Sequence, residues 1–152
     1  MKEIEKRFLL RALPQGIVMR IKIRQGYINI GPQELRVRQQ GEDFYFTLKS
    51  GDGFSRDEID SQISKKLFKK LWPFTKQKRI AKIRHILFHD GLTWEIDEIF
   101  RGFRRLIIAE VELPSEETSF TIPLSITPLI IADITEDLRY RNKTLATQGF
   151  PK

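Results

Sequence analysis

The feature that most constrains this chain is a two-residue alternation of charged and bulky apolar side chains, repeated in segment after segment. In "KEIEKRFLL", Glu3, Glu5 and Arg7 share one parity. In "VMRIKIRQGY", Arg20, Lys22 and Arg24 oppose Met19, Ile21 and Ile23, and "ELRVRQQ" sets Arg36 and Arg38 against Leu35 and Val37. "DFYFTLKS" carries Tyr45, Thr47 and Lys49 opposite Phe44, Phe46 and Leu48; "RDEIDSQI" offers Arg56, Glu58 and Asp60. "KIRHILF" holds Lys82 and Arg84, "TWEIDEIF" Glu95 and Asp97, and "IIAEVEL" Glu110 and Glu112. Successive strand side chains point to opposite faces, so each segment is a two-faced strand. The clusters "NIGPQ", "QQGED", "SGDGFS", "FHDG" and "LPSEE" separate them as turns, and "QQGED" and "FHDG" suit hairpins. Short alternating strands joined this way make antiparallel β-structure, a sandwich or a barrel.

Two segments leave the period. "SKKLFKKLW" places Leu67, Phe68 and Leu71 on one side of a short amphipathic helix that ends at Pro73. "TEDLRYRNKTLA" reads as a terminal helix with Thr135 as N-cap and Glu136 and Asp137 in its first turn. No repeat or linker interrupts the 152 residues, so one α+β, mainly β domain spanning 1–152 is expected.

Composition narrows the chemistry. Without cysteine there is no disulfide, thiolate metal site or thiol nucleophile, which fits a reducing compartment. No charge-free apolar run approaches the ~20 residues of a membrane span. The amino terminus, with two glutamates and four cations by Arg11, is unlike a signal peptide, so a cytoplasmic location is expected. A net charge of +7 points to an anionic partner: nucleic acid, a membrane surface or a phosphorylated small molecule.

Alternation alone leaves the direction of the charged faces open. They can be the solvated outside of a sheet. Yet the charge is sorted by strand, with acid pairs at 3/5, 95/97 and 110/112 and basic pairs at 36/38 and 82/84. About eight strands closed around inward-facing charge would leave room for one small ligand. Unpaired buried charge is costly, so such a lumen needs an occupant. Carboxylate pairs suit a hard divalent cation, and arginine and lysine pairs suit phosphate oxygens. A metal polyphosphate satisfies both walls.

The ordered set "EIEKR", "RQGY", "LRVRQQG", "TLKS", "SRDE", "KIR", "WEID", "AEVEL" and "ITEDLRYRNKTLA" also resembles the CYTH proteins, the triphosphate tunnel metalloenzymes, and their short bacterial inorganic tripolyphosphatase-like branch. The resemblance runs from Glu3 to about Ala146. It implies a closed antiparallel eight-stranded barrel with short covering helices, and metal-dependent hydrolysis of a triphosphate, inorganic tripolyphosphate first. Carried over, Glu3, Glu5, Glu110 and Glu112 are the expected metal acids, with Mg²⁺ or Mn²⁺ as cofactor. Arg7, Arg36, Arg38, Lys49, Arg84 and Arg139 are the expected phosphate cradle. Lys82, Glu58 and Arg56 are the expected catalytic groups, with Lys82 or Glu58 orienting water. Two positions depart from the family pattern: Arg7 replaces a usual lysine, and His85 a common tyrosine. Thiamine triphosphatase, nucleoside triphosphatase or adenylate cyclase chemistry, or a non-catalytic polyphosphate- or nucleotide-binding module, are the alternatives. A nucleic-acid-binding barrel explains the net charge but not the acid pairs, so nucleic acid is not an expected partner; with no apolar run long enough to span a bilayer, neither is a membrane. Monomer and homodimer both remain open.

Overall fold

The computed structural model describes residues 2–51 and 55–152; the turn expected within "SGDGFS" lies largely outside them. Among the described residues, nine strands form in the order β1 (Lys2–Leu10), β2 (Met19–Asn29), β3 (Gln33–Gln40), β4 (Asp43–Ser50), β5 (Ser55–Ile63), β6 (Arg79–His89), β7 (Leu92–Arg101), β8 (Arg104–Glu112) and β9 (Ile130–Asp133). Two helices accompany them, α1 (Lys65–Leu71) and α2 (Asn142–Gln148). The sheet order is β5-β4-β3-β2-β6-β7-β8-β1-β9, antiparallel throughout. Pairing of β1 with β5 through Lys2↔Asp57, Glu3↔Arg56 and Ile4↔Ser55 closes eight strands into a barrel. The two edges then diverge, and β9 takes the far half of β1 through Phe8, Leu9 and Leu10.

Both expected hairpins form. Gly41 turns β3 into β4 at φ 61°, and Asp90 and Gly91, at 50° and 74°, turn β6 into β7. Positive φ at both central residues of the second turn matches the strand twist.

Three apolar clusters hold the barrel. Phe8, Trp94, Ile96, Ala109 and Val111 lie on its outer face, under the irregular stretch 113–129, which contributes Leu113, Phe120 and Ile126. Trp94 is fully buried between Phe8 and Phe120, 6.0 and 6.3 Å away. A loop, not a helix, covers this outward tryptophan. On another outer face, α1 lays Phe68 on Phe44 and Val37, and Ser64 caps that helix by accepting from the Leu67 amide. The third cluster plugs one end of the barrel: Tyr27, Ile80, Ile99 and Ile108 meet Ile134, Leu145 and Ala146 of the C-terminal segment.

That segment departs from the expected helix. Residues 138–140 form a single 3-10 turn capped by Asp137, and α2 begins only at Asn142. Thr135 is no helix cap; its hydroxyl accepts from the Arg7 amide at 3.0 Å and ties the segment to β1.

Close packing on β2 depends on one glycine. A Cβ at Gly26 would stand 2.5 Å from the Thr75 side chain, and Thr75 is itself fixed by bonds to the Trp72 carbonyl (2.6 Å) and from Arg79 Nε (2.9 Å). Gly26→Ala is therefore expected to cost about 1–3 kcal/mol. Thermal denaturation should show a fall of roughly 2–4 °C per kcal/mol.

Candidate functional site

Sheet register decides what the lumen contains. In β1, Glu3, Glu5 and Arg7 point inward; β8 places Glu112 opposite Glu5 and Glu110 opposite Arg7. Next along, β7 sets Glu95 opposite Glu110. Strands β7, β8 and β1 are consecutive, so five carboxylates form one acidic wall. Across from it, β3, β4 and β5 present Arg36, Arg38, Lys49 and Arg56, with Glu58 opposite Lys49. Arg84 reaches in from β6. The walls enclose a cavity of about 250 Å³, so the inward orientation holds for these rows.

Of the thirteen expected site residues, eleven line this cavity: Glu3, Glu5, Arg7, Arg36, Arg38, Lys49, Arg56, Glu58, Arg84, Glu110 and Glu112. Lys82 does not. It shares the inward parity of Arg84 but is buried inside the barrel without lining the cavity, with Nζ 2.8 Å from Asp97, which also accepts two bonds from Arg84 (2.8 and 2.9 Å). Arg139 is placed away from the cavity altogether. Its guanidinium is solvent-exposed and bonded to Asp137 at 3.0 and 2.7 Å, because the residues around it form a 3-10 turn on the surface. Two positions further on, the buried Arg141 lines the cavity with Asn142 and Lys143.

Glu34, Gln40 and Tyr27 also line it. Glu34 and Gln40 share the parity of Arg36 and Arg38, a signal present in the sequence and passed over. By contrast the Arg20, Lys22 and Arg24 row is exposed, while Ile23, Gln25 and Tyr27 of the same strand are buried. His85, on the outward parity of β6, is buried against Glu98 at 3.0 Å and takes no part in the cavity.

The two walls show opposite electrostatic strain. Burial, then the neighbouring Glu110 and Glu3, push Glu5 up to about 8. Burial, then Arg36 and Arg84, push Arg38 down to about 10. Glu95, Glu112 and Glu58 are likewise raised, by burial first and nearby carboxylates after it, Glu58 chiefly by Glu3. Glu3 is the exception: burial raises it, but Lys49 at 2.8 Å and Arg56 together outweigh burial and hold it at about 2. Several donors find no protein acceptor, among them buried Arg7 Nη2, Arg36 Nε and Arg38 Nε. Such orphaned donors are costly unless a ligand takes them.

Among the described residues, no three acidic or histidine side chains already stand together as a metal cage. The acids lean on cations instead: Glu110 on Arg7 at 3.0 Å, Glu3 on Lys49, and Glu95 on Arg84 at 2.9 Å.

A family model for the CYTH domain matches residues 1–150. The chain belongs to the CYTH family. Its relatives include an inorganic triphosphatase of Nitrosomonas europaea, 39% identical over 151 residues, 96% of this chain and 97% of that protein. An inorganic triphosphatase of Acetivibrio thermocellus is 34% identical over 157 residues, 98% and 96% of the two chains. The crystal structure of an inorganic triphosphatase superposes with a TM-score of 0.70 at 36% identity, over 98% of this chain and 97% of the other. The CYTH fold here is thus a closed eight-stranded antiparallel barrel, with β9 as an added strand along β1.

Proposed function

We propose that this CYTH protein hydrolyses inorganic triphosphate within the barrel, with a divalent cation on the acidic wall and the phosphates on the basic wall. One observation carries the reading. Burial, then crowding by Glu110 and Glu3, raises Glu5 to about 8, and burial, then crowding by Arg36 and Arg84, lowers Arg38 to about 10. A metal-bound polyanion relieves both strains at once.

The donor set fits a hard cation: Glu3, Glu5, Glu110 and Glu112 offer carboxylate oxygens from adjacent strands, which suits Mg²⁺ or Mn²⁺. Such an ion would supply charge neutralisation and alignment of phosphate oxygens. The chain's own residues do the rest. Arg36 and Arg38 offer the free buried N–H groups to phosphate oxygens. Lys49, Arg56 and Arg84 oppose charge that develops as a phosphoryl group leaves. Glu58, on the wall and with a raised pKa from burial and Glu3, is placed to orient the attacking water. Lys82 and Asp97 lie out of reach of substrate and act as positioning residues, holding Arg84 in its inward pose.

Phosphate release from tripolyphosphate, ATP and thiamine triphosphate, assayed in parallel with Mg²⁺, Mn²⁺ or chelator, tests this. Tripolyphosphate should be turned over fastest, and chelator should abolish release. Full activity in chelator would remove the metal, and faster cleavage of a nucleotide would change the substrate.

The reassignment at the C-terminal segment has its own test. Arg141→Ala should lower kcat/KM for tripolyphosphate about tenfold or more, the worth of one charge-assisted phosphate contact. Arg139→Ala should stay within about twofold, since its partner is a surface carboxylate. Equal effects would sink the reassignment.

A further inference from the structure

The cavity does not account for the protein's charge. Among the described residues, eight cations and seven carboxylates line it, a balance of one positive charge against the seven of the whole chain. The excess lies elsewhere, and the sequence shows where. No Asp or Glu occurs between Glu5 and Glu34, nor between Asp60 and Asp90. The fold brings these two acid-free stretches together. β2 and β6 are hydrogen-bonded neighbours, and the segment "KKLFKKLWPFTKQKR" (65–79) folds across β2. Arg24 stands 5.3 Å from the Phe68 ring and 4.8 Å from that of Trp72, and Arg79 lies 4.4 Å from the latter. Thr75 closes on Gly26. The six exposed cations of this segment, Lys65, Lys66, Lys69, Lys70, Lys76 and Arg79, thus add to the exposed Arg20, Lys22 and Arg24 on the outer side of the barrel.

Two exposed apolar side chains belong to the same segment. Phe68 and Trp72 do the packing, while Phe74, beside Pro73, is 66% exposed and Leu67 is 42% exposed. A single exposed leucine is ordinary. An exposed phenylalanine and leucine in the same segment as the exposed Lys65, Lys66, Lys69, Lys70 and Lys76 form a more specific pattern, of cations with an apolar tip. A phosphate chain or a nucleic-acid backbone would use the lysines but gain nothing from the tip. Trp72 already carries Arg24 and Arg79, which leaves Phe74 as the one exposed ring of the segment, too little for a platform that stacks successive bases. An anionic phospholipid surface takes both parts: lysines at the headgroup phosphates, Phe74 and Leu67 at the acyl boundary.

We propose that this outer face docks the protein reversibly on anionic phospholipid bilayers, independently of the tunnel. No helix among the described residues is long and apolar enough to cross a membrane, and none is needed, because attachment is peripheral.

Co-sedimentation of the full chain with equimolar phosphatidylglycerol–phosphatidylcholine vesicles, and with pure phosphatidylcholine vesicles, tests the proposal. Binding is expected to the first only, and to weaken with salt. Lys69→Gln/Lys70→Gln should lower the partition coefficient about thirtyfold, from about fivefold per lysine. Phe74→Ser should lower it about tenfold. All three positions are exposed and outside the cavity, so tripolyphosphate turnover should be unchanged in both variants, which also reports that they fold. Equal binding to both vesicle types, or no binding, overturns the proposal. So does vesicle binding indifferent to Phe74→Ser, accompanied by capture of duplex DNA or long-chain polyphosphate through Lys69 and Lys70; the face would then serve a soluble polyanion.

Discussion

Glu5→Gln should remove most tripolyphosphate hydrolysis and at the same time stabilise the metal-free protein at neutral pH. The two effects share one cause. Glu5 sits opposite Glu112 and close to Glu110 and Glu3, and its carboxyl titrates near 8 in the fold against 4.5 ordinarily. Between those values the folded state holds a proton that the unfolded chain has released. Metal-free stability is therefore fully present below about pH 4.5 and is lost as pH rises through 8, by up to about 1.4 kcal/mol per pH unit. The raised Glu58, Glu95 and Glu112 act in the same direction. Glu3 and Asp97, held low, act only at acid pH. Glutamine copies the neutral form of Glu5, so the melting temperature of the metal-free variant should decline less between pH 5 and pH 8. It also withdraws a charge that the divalent cation requires, and loss of one such electrostatic contact costs about 10²–10³ in kcat. In the parent protein, Mg²⁺ or Mn²⁺ should raise the melting temperature more at pH 8 than at pH 6; in Glu5→Gln that difference should shrink. A variant within threefold of parental turnover at saturating metal, or one whose metal-free melting temperature falls as steeply with pH as the parent's, would place Glu5 outside the metal set.

Much of this arrangement was legible in the alternation. Each inward pair, from Glu3/Glu5 to Glu110/Glu112, kept its parity through to the lumen because the strands run without a slip across that stretch. Parity is symmetric, however: it says that two rows face opposite ways and not which row faces in. The basic row of β2 is the instance, since Arg20, Lys22 and Arg24 match the inward rows in pattern yet face solvent, and the decision rests with Gly26, which must lie outward to admit Thr75. The C-terminal segment was misread for a related reason. "TEDLRYRNK" has helical composition, but Asp137 caps a 3-10 turn and Thr135 is drawn to the β1 backbone. The chain is then extended at Arg141 (φ −68°, ψ 143°), and Arg139 and Arg141 part company. The loop over Trp94 carries no period at all, so nothing local could have announced it.

Asp97→Asn should be the most destabilising single change in the barrel wall. Asp97 and Lys82 are each only 1% exposed in their side chains, and the carboxylate joins Lys82 at 2.8 Å to the forked guanidinium of Arg84. The two cations hold Asp97 well below the usual carboxylate range despite its burial. Burial, with Arg84 adding to it, pushes Lys82 down to about 8 even against the pull of Asp97. Replacing the carboxylate with an amide leaves buried Lys82 without its anion and Arg84 with only the half-exposed Glu95, 2.9 Å away, a loss of about 3–5 kcal/mol. At roughly 2–4 °C per kcal/mol, the melting temperature should fall by about 6–20 °C. Arg84 then loses the fork that aims it into the cavity, so KM for tripolyphosphate should rise as well. A second change separates lost charge balance from a merely damaged core. Lys82→Met in the Asp97→Asn background removes the stranded cation at similar volume, and should recover a substantial part of the stability by a double-mutant cycle. KM should remain raised, because Arg84 still lacks the Asp97 fork and keeps only its Glu95 pair. If Asp97→Asn melts within about 2 °C of the parent, or if Lys82→Met worsens it, the buried triad is not what holds this wall.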